Sequence, residues 1–299
     1  MTKKLPVPLS VASCIVVLVS SVAASNSYAY TVSGHIRAYY DGGNSGGIID
    51  REDTFIDSVY YLEDSGNVTG NNQYADASYF TDLTTGYLGT YVYATDLEPD
   101  SYSSAAGAYA DASFSDVITF NIPAGTYDNG VYASLTGFAN GTLDATGAVG
   151  GLHSTVRGLG SFAFGSSGDS YAFSFDETAK GSGPVALVID ETFTLSTELV
   201  APGQTVAAGG IQVDRSVTAS LEAYGTALHA YGYAGVPDYS SILGDFYSTG
   251  GFSALSTADG VSWTSDSGVF LSAVPIPAAV WLFGSGLTLL LLMTKQKKL

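Results

Sequence analysis

The chain has 299 residues, 28 of them acidic and 10 basic, with one cysteine and a formal net charge of −18. All acidic residues lie between Asp41 and Asp266, where only Arg37, Arg51, Arg157, Lys180 and Arg215 oppose them, leaving this span at −23. A surface of that sign repels nucleic acid and anionic lipid, which excludes nucleic-acid binding and leaves cations and neutral polymers as partners.

In chain order the first element is an export signal. Lys3 and Lys4 precede the apolar run Val11–Val19, and small residues follow, as in a secretory signal peptide. Val22-Ala23-Ala24 and Ser27-Tyr28-Ala29 both suit cleavage, so residues 1–29 are expected to be removed after Ala24 or Ala29. Cys14 loosely imitates a lipoprotein box, but the apolar run continues past it. The secreted domain, residues 30–273, has no cysteine, so it must fold without disulfides.

The stretch Asp41-Gly-Gly-Asn44-Ser-Gly-Gly-Ile-Ile-Asp50-Arg-Glu-Asp53 serves two readings. Gly43–Gly47 formally matches Gly-x-Ser-x-Gly, yet a nucleophile elbow needs a strand before, a helix after, and an acid and His downstream in order. A Gly-rich loop explains it better. The oxygens of Asp41, Asn44, Asp50 and Asp53 are what a hard cation takes, though their spacing is neither that of an EF-hand nor of a Gly-Gly-x-Gly-x-Asp repeat. No resident cofactor is expected, and calcium is the one ion for which candidate ligands exist. The histidines, His35, His153 and His229, are far apart and lack zinc-ligand spacing.

Beyond this loop the chain reads as strands. Tyr39-Tyr40, Tyr60-Tyr61 and Tyr91-Val-Tyr93 place aromatics on both strand faces, more than a core needs. Tyr74-Ala-Asp-Ala-Ser78 recurs as Tyr109-Ala-Asp-Ala-Ser113, which reads as two similar strand pairs. Ile118, Phe120 and Ile122 alternate with Thr119 and Asn121, the period of a half-buried strand. Gly141–Gly151 is a soft boundary, too slight to divide the span into two domains. Phe162–Phe164 and Tyr171–Phe175 flank a polar turn and read as a hairpin. Asp176-Glu177 and Asp190-Glu191 each point to opposite strand faces, so neither pair can flank a glycosidic bond, and no catalytic residue is assigned. Val185–Val200 and Ile211–Tyr224 alternate again, with Leu187, Ile189, Val217 and Leu221 facing inward; Arg215 falls on the apolar face and calls for a carboxylate partner or a bulge. Gly260–Leu271 reads as a closing hairpin. Short strands with no helical crossover between them predict an all-β antiparallel β-sandwich or jelly roll.

The last element is Val274-Pro275-Ile276-Pro277-Ala278, then an uncharged apolar stretch from Ala278 to Thr294, then Lys295, Lys297 and Lys298. The two prolines cannot continue a helix from the sheet domain, and the stretch that follows has a spanning helix's minimum length. The lysines would stay on the cytoplasmic side. This tail resembles the PEP-CTERM sorting signals of Gram-negative bacteria: Pro-x-Pro-Ala, Trp281-Leu-Phe-Gly-Ser-Gly-Leu287 and the Lys tail match in order and spacing. Ile276 stands where the name-giving motif has Glu, as in Val-Pro-Leu-Pro-Ala variants. The resemblance implies an exosortase substrate that passes the secretion translocon and is anchored transiently in the inner membrane through helix 278–294. It also implies release of the protein to the cell surface or outside. Val274, Pro275, Pro277, Ala278, Lys295, Lys297 and Lys298 are then the sorting and processing residues.

Taken together, the sequence points to a non-enzymatic structural or adhesive protein of the envelope or extracellular polysaccharide matrix; a calcium-assisted carbohydrate-binding module is the alternative. The processing expectation has a direct test. Mass spectrometry of surface-exposed protein should find a C-terminus near Val274–Pro277; an intact C-terminus at Leu299 would make the tail a permanent anchor.

Overall fold

The computed structural model describes residues 30–42, 45–56, 58–70, 73–96, 104–146, 153–165, 169–180, 185–229, 240–246 and 250–271. The expected signal peptide and the tail with its sorting residues and membrane helix lie outside them. Among the described residues 83% are in strands and none is in a helix.

Chain order gives β1 (Tyr30–Gly42), β2 (Ser45–Ile56), β3 (Tyr61–Thr69), β4 (Gln73–Asp82), β5 (Tyr87–Asp96), β6 (Ser104–Ile122), β7 (Gly125–Tyr127) and β8 (Val131–Thr146). There follow β9 (His153–Phe164), β10 (Ser170–Lys180), β11 (Val185–Val200), β12 (Gln204–Val206), β13 (Ile211–His229), β14 (Ser240–Asp245), β15 (Gly250–Thr257) and β16 (Ser262–Ser265). A front sheet runs β10-β9-β13-β6-β1-β2, with β16 also on β6; a back sheet runs β11-β8-β14-β5-β4-β3, with β15 joining β5 and β8. Every pairing is antiparallel, and the two sheets pack face to face as a β-sandwich. Strands from either side of residues 147–152 interleave in both sheets, so the soft boundary at Gly141–Gly151 separates nothing.

The alternation read from the sequence is the one that buries the core. Ile118, Phe120, Ile189, Val217 and Leu221 are buried, while Leu187, near the start of edge strand β11, is only partly covered. The inner face of β6 changes character along its length, from Ala106, Ala108, Ala110 and Ala112 to Phe114, Ile118, Phe120 and Ile122. Over the small half, the back sheet supplies bulk. Tyr79 of β4 lays its ring across Gly34 of β1 and reaches Asp53 of β2 with its hydroxyl at 3.3 Å. The ring of Phe246 sits between Gly141 of β8 and Gly158 of β9, one from each sheet. Over the large half, Phe114, Phe252 and Phe270 pack with centroids 5.8–6.3 Å apart.

Two expectations are corrected here. Gly260–Leu271 is not a hairpin: β16 pairs Asn121–Ile118 of β6, and the residues after it form turns. The reason lies in strand lengths. β1 reaches only to Asp116 along β6, leaving the far end of that 19-residue strand without a partner on this side. Buried Asp116 then fixes the following turn by accepting from Ser267 Oγ at 2.6 Å and Ser267 N at 3.2 Å. β13 runs through Arg215 without a bulge, and among the described residues Arg215 has no carboxylate within ion-pair distance. It donates to Thr197 Oγ1 at 3.2 Å and to the carbonyls of Asp214 and Glu198 at 2.8 and 2.5 Å, which satisfy a guanidinium at the sheet edge equally well.

A methyl group at Gly34 would overlap the Tyr79 ring, which is fully buried and cannot swing away. Gly34→Ala should therefore destabilise by about 1–3 kcal/mol. Tyr79→Leu in the same chain should recover part of that loss, so the double variant is more stable than additivity gives. Denaturant titration of the four proteins measures this, and strict additivity would contradict the packing.

Candidate functional site

The outer face of the front sheet is built by register. Adjacent strands pair so that same-face residues form rows across β1, β6, β13 and β9. One row is Ser33, Ser113, Ser220 and Ser161, with Ser33 Oγ and Ser113 Oγ 2.7 Å apart. Beside it runs His35, Asp111, Glu222 and Leu159, and beyond that Arg37, Tyr109, Tyr224 and Arg157. The serine row is low and its neighbour is tall, which leaves a trough across the strands. A depression of 580 Å³ lies over Asp111, Ser113, Ser161, Ser220 and Glu222, and a second of 230 Å³ continues it over Ser115 and Thr218.

Charge on this face is arranged from the edges inward. His35 Nε2 lies 2.6 Å from Asp50 of edge strand β2, and Arg37 Nε lies 3.9 Å from the same carboxylate. At the other side Arg157 holds Asp176 of edge strand β10 at 2.6 Å. The centre is left to Asp111 and Glu222, directly opposite one another on β6 and β13. Burial pushes the Asp111 carboxyl above its ordinary value, and its hydrogen bond with Tyr109 and the nearness of His35 only partly offset this. Glu222 is raised by burial and then by the charge of Asp111, with Arg157 pulling the other way. The Tyr109 hydroxyl is raised too, by burial and by these two acids. The Tyr224 ring is 39% exposed beside the trough, and its hydroxyl is 3.0 Å from Thr226 Oγ1. The face thus offers hydroxyls, half-exposed rings and acceptor oxygens along one line.

The sequence-level metal candidates are spread out. Asp41 is the penultimate residue of β1, on the outer face; Asp50, on the same face, is occupied by His35 and Arg37; Asp53 points the other way and accepts from Tyr79. Asn44 lies outside the described residues. β2 starts at Ser45 opposite Gly42, so Ser45–Gly47 belong to a strand and not to the helix that a nucleophile elbow needs. Among the described residues no group of three or more His, Cys, Asp or Glu is placed to hold a metal. Asp111, Glu222 and the serine row were not singled out from the sequence. The echo Tyr74–Ser78 and Tyr109–Ser113 was the one available signal: it turns its alanines into the core and its Tyr and Asp outward, on opposite sheets.

No family model matches the sequence, and no curated protein matches it. Among solved structures the chain is similar to that of the infectious bursal disease virus Gx strain, at 13% identity over 78% of this chain and 62% of that one, with a TM-score of 0.13. A T13 particle of the same virus gives 11% identity over 80% and 65%, with a TM-score of 0.14. The chain spans less than two thirds of either, and at such scores neither likeness bears on what it does.

Asp111, Glu222 and Asp116 all have folded-state values raised above those of an unfolded chain. Such groups contribute stability that is complete below the unfolded carboxylate range of about 4 and is lost as pH rises through the folded values. The denaturation midpoint should therefore be higher at pH 5 than at pH 8, and Glu222→Gln should narrow the difference. A midpoint that falls on acidification over this window would contradict the assignment.

Proposed function

We propose that this is a secreted or surface-displayed structural or adhesive protein of the cell envelope or extracellular matrix, which holds an extended polysaccharide in the trough of its front sheet. The observation that carries the reading is the trough itself, with its floor of serines and its border of Tyr109, Asp111 and Glu222. Sugar rings present apolar faces that stack on aromatic rings and hydroxyls that hydrogen-bond to serines and carboxylates. The strands lie about 4.8 Å apart, a repeat close to the rise of one sugar in an extended chain. The strongly acidic span favours a neutral polymer over an anionic one.

The arrangement favours holding over cutting. Asp111 and Glu222 rise from the same face, so both meet one side of a bound glycan, whereas hydrolysis needs carboxylates on either side of the scissile bond. The protein acts without catalysis in this reading. Export and surface placement rest on the terminal segments: the signal peptide engages the translocon, the tail anchors the precursor in the inner membrane, and an exosortase releases it. The alternative, a calcium-assisted carbohydrate-binding module, shares the ligand class.

Affinity gel electrophoresis of residues 30–273 against the producer's own extracellular polysaccharide separates the outcomes. Retardation without added calcium, abolished by filling the trough with Ser220→Trp, is the expected result. Retardation that needs calcium would favour the alternative, and unchanged mobility in every gel would overturn both.

A further inference from the structure

The front sheet ends in the edge strands β2 and β10, the back sheet in β3 and β11. Every pairing of β2 is with β1, in unbroken register over all 12 of its residues, so among the described residues no strand lies beyond it and no bulge turns its outer edge away. An edge of that kind is a template for a further strand. Large apolar side chains are also concentrated there. Ile48, Phe55 and Ile56 are 57%, 37% and 40% exposed, whereas the described residues of β3 and β11 expose one such side chain each and those of β10 none.

Their placement is symmetrical. From Ile48 to Ile56 the strand reads two apolar residues, then Asp50-Arg51-Glu52-Asp53-Thr54, then two apolar residues again, with Glu52 at the midpoint. Even-numbered residues share the outer face with Asp50, which meets His35, and odd-numbered ones share the inner face with Asp53, which meets Tyr79. An antiparallel pair sets residues of the same face opposite one another, and two copies related by a twofold axis must use one patch twice. With the axis through Glu52 both conditions are met. Ile48 stands opposite the partner's Ile56, Ile49 opposite the partner's Phe55, and Arg51 opposite the partner's Asp53. Arg51 is already held by Asp64 and the Ser65 carbonyl of β3, yet it stays half-exposed with donors to spare. The one repulsive pair is Glu52 against its own copy on the axis.

We propose that β2 is a docking edge for a second copy of this chain, paired antiparallel about Glu52. The two front sheets then run on as one, with both outer faces on the same side. Backbone hydrogen bonds give the pairing its direction, and the two apolar pairs, each made twice, fix its register. A single strand edge buries little area, so the dimer comes apart on dilution. The edge stands independently of the glycan reading; together with it, the dimer presents two troughs to one polymer.

Sedimentation velocity of the secreted domain over a range of concentration and salt tests this. A monomer–dimer equilibrium is the expected result, and salt, by screening the acidic strands, should shift it toward dimer. Glu52→Gln should tighten it about two- to fivefold. Ile48→Asp should weaken it about tenfold or more, while leaving the melting midpoint of the monomer in place because the side chain is mostly exposed. The register has its own readout, since residues 30–273 contain no cysteine. Glu52→Cys sets two thiols opposite each other on the axis, within disulfide reach, and mild oxidation should cross-link them. Thr54→Cys sets them about 13 Å apart and should not cross-link. A chain that stays monomeric at every concentration and salt overturns the proposal. So does a dimer that survives Ile48→Asp unchanged, or one that Thr54→Cys cross-links as readily as Glu52→Cys.

Discussion

Rings seated on glycines set how the two sheets meet. Tyr79 crosses the interior from the back sheet, covers Gly34 and ends on Asp53, so a single side chain ties β4 to both strands of the β1–β2 hairpin. Phe246 does the same at the other side, wedged between a glycine of each sheet. An interior packed to crystal density has no slack at such contacts, and the glycines are needed because any side chain there would meet a ring. In a chain without disulfides among its described residues, these contacts and the long strand ladders carry the tertiary structure.

Each end of the interior is then closed by a buried aspartate. Asp116 gathers Ser267 at one end and pins the last turns over Phe114 and Phe252, so that Phe270 is fully covered. Asp96 lies with Gln73 and Ser240 at the other. Between them β6 and β13, 19 residues each, pair along their whole length and give the front sheet a broad outer surface. The trough is a consequence of that pairing: four serines fall into one row because the register of three strand pairs agrees at that level.

The strands and the inward positions were legible because a period of two is a local property. Ile118, Phe120, Val217 and Leu221 could be assigned to the core from their neighbours alone, and the Phe162–Phe175 hairpin from its turn. Register between distant strands is not local. Nothing near Asp111 in the sequence says that Glu222 stands opposite it, and a shift of one residue would have turned either side chain into the core. For the same reason Gly260–Leu271 looked like a self-contained hairpin, when the open flank of β6 far upstream was its partner. Arg215 was misjudged differently: a charge on an apolar face was expected to need a carboxylate partner or a bulge, but β13 runs through it in unbroken register and a hydroxyl and backbone carbonyls supplied its acceptors.

On the proposed function, the serine row and its acidic neighbour are the surface that meets polysaccharide. Backbone chemical-shift mapping by NMR during titration with soluble fragments of the producer's extracellular polysaccharide tests it residue by residue. Shifts concentrated at Ser113, Ser161, Ser220 and Glu222, with the back sheet silent, are the expected result. Shifts centred on the outer face of the back sheet, or none at saturating ligand, would contradict it.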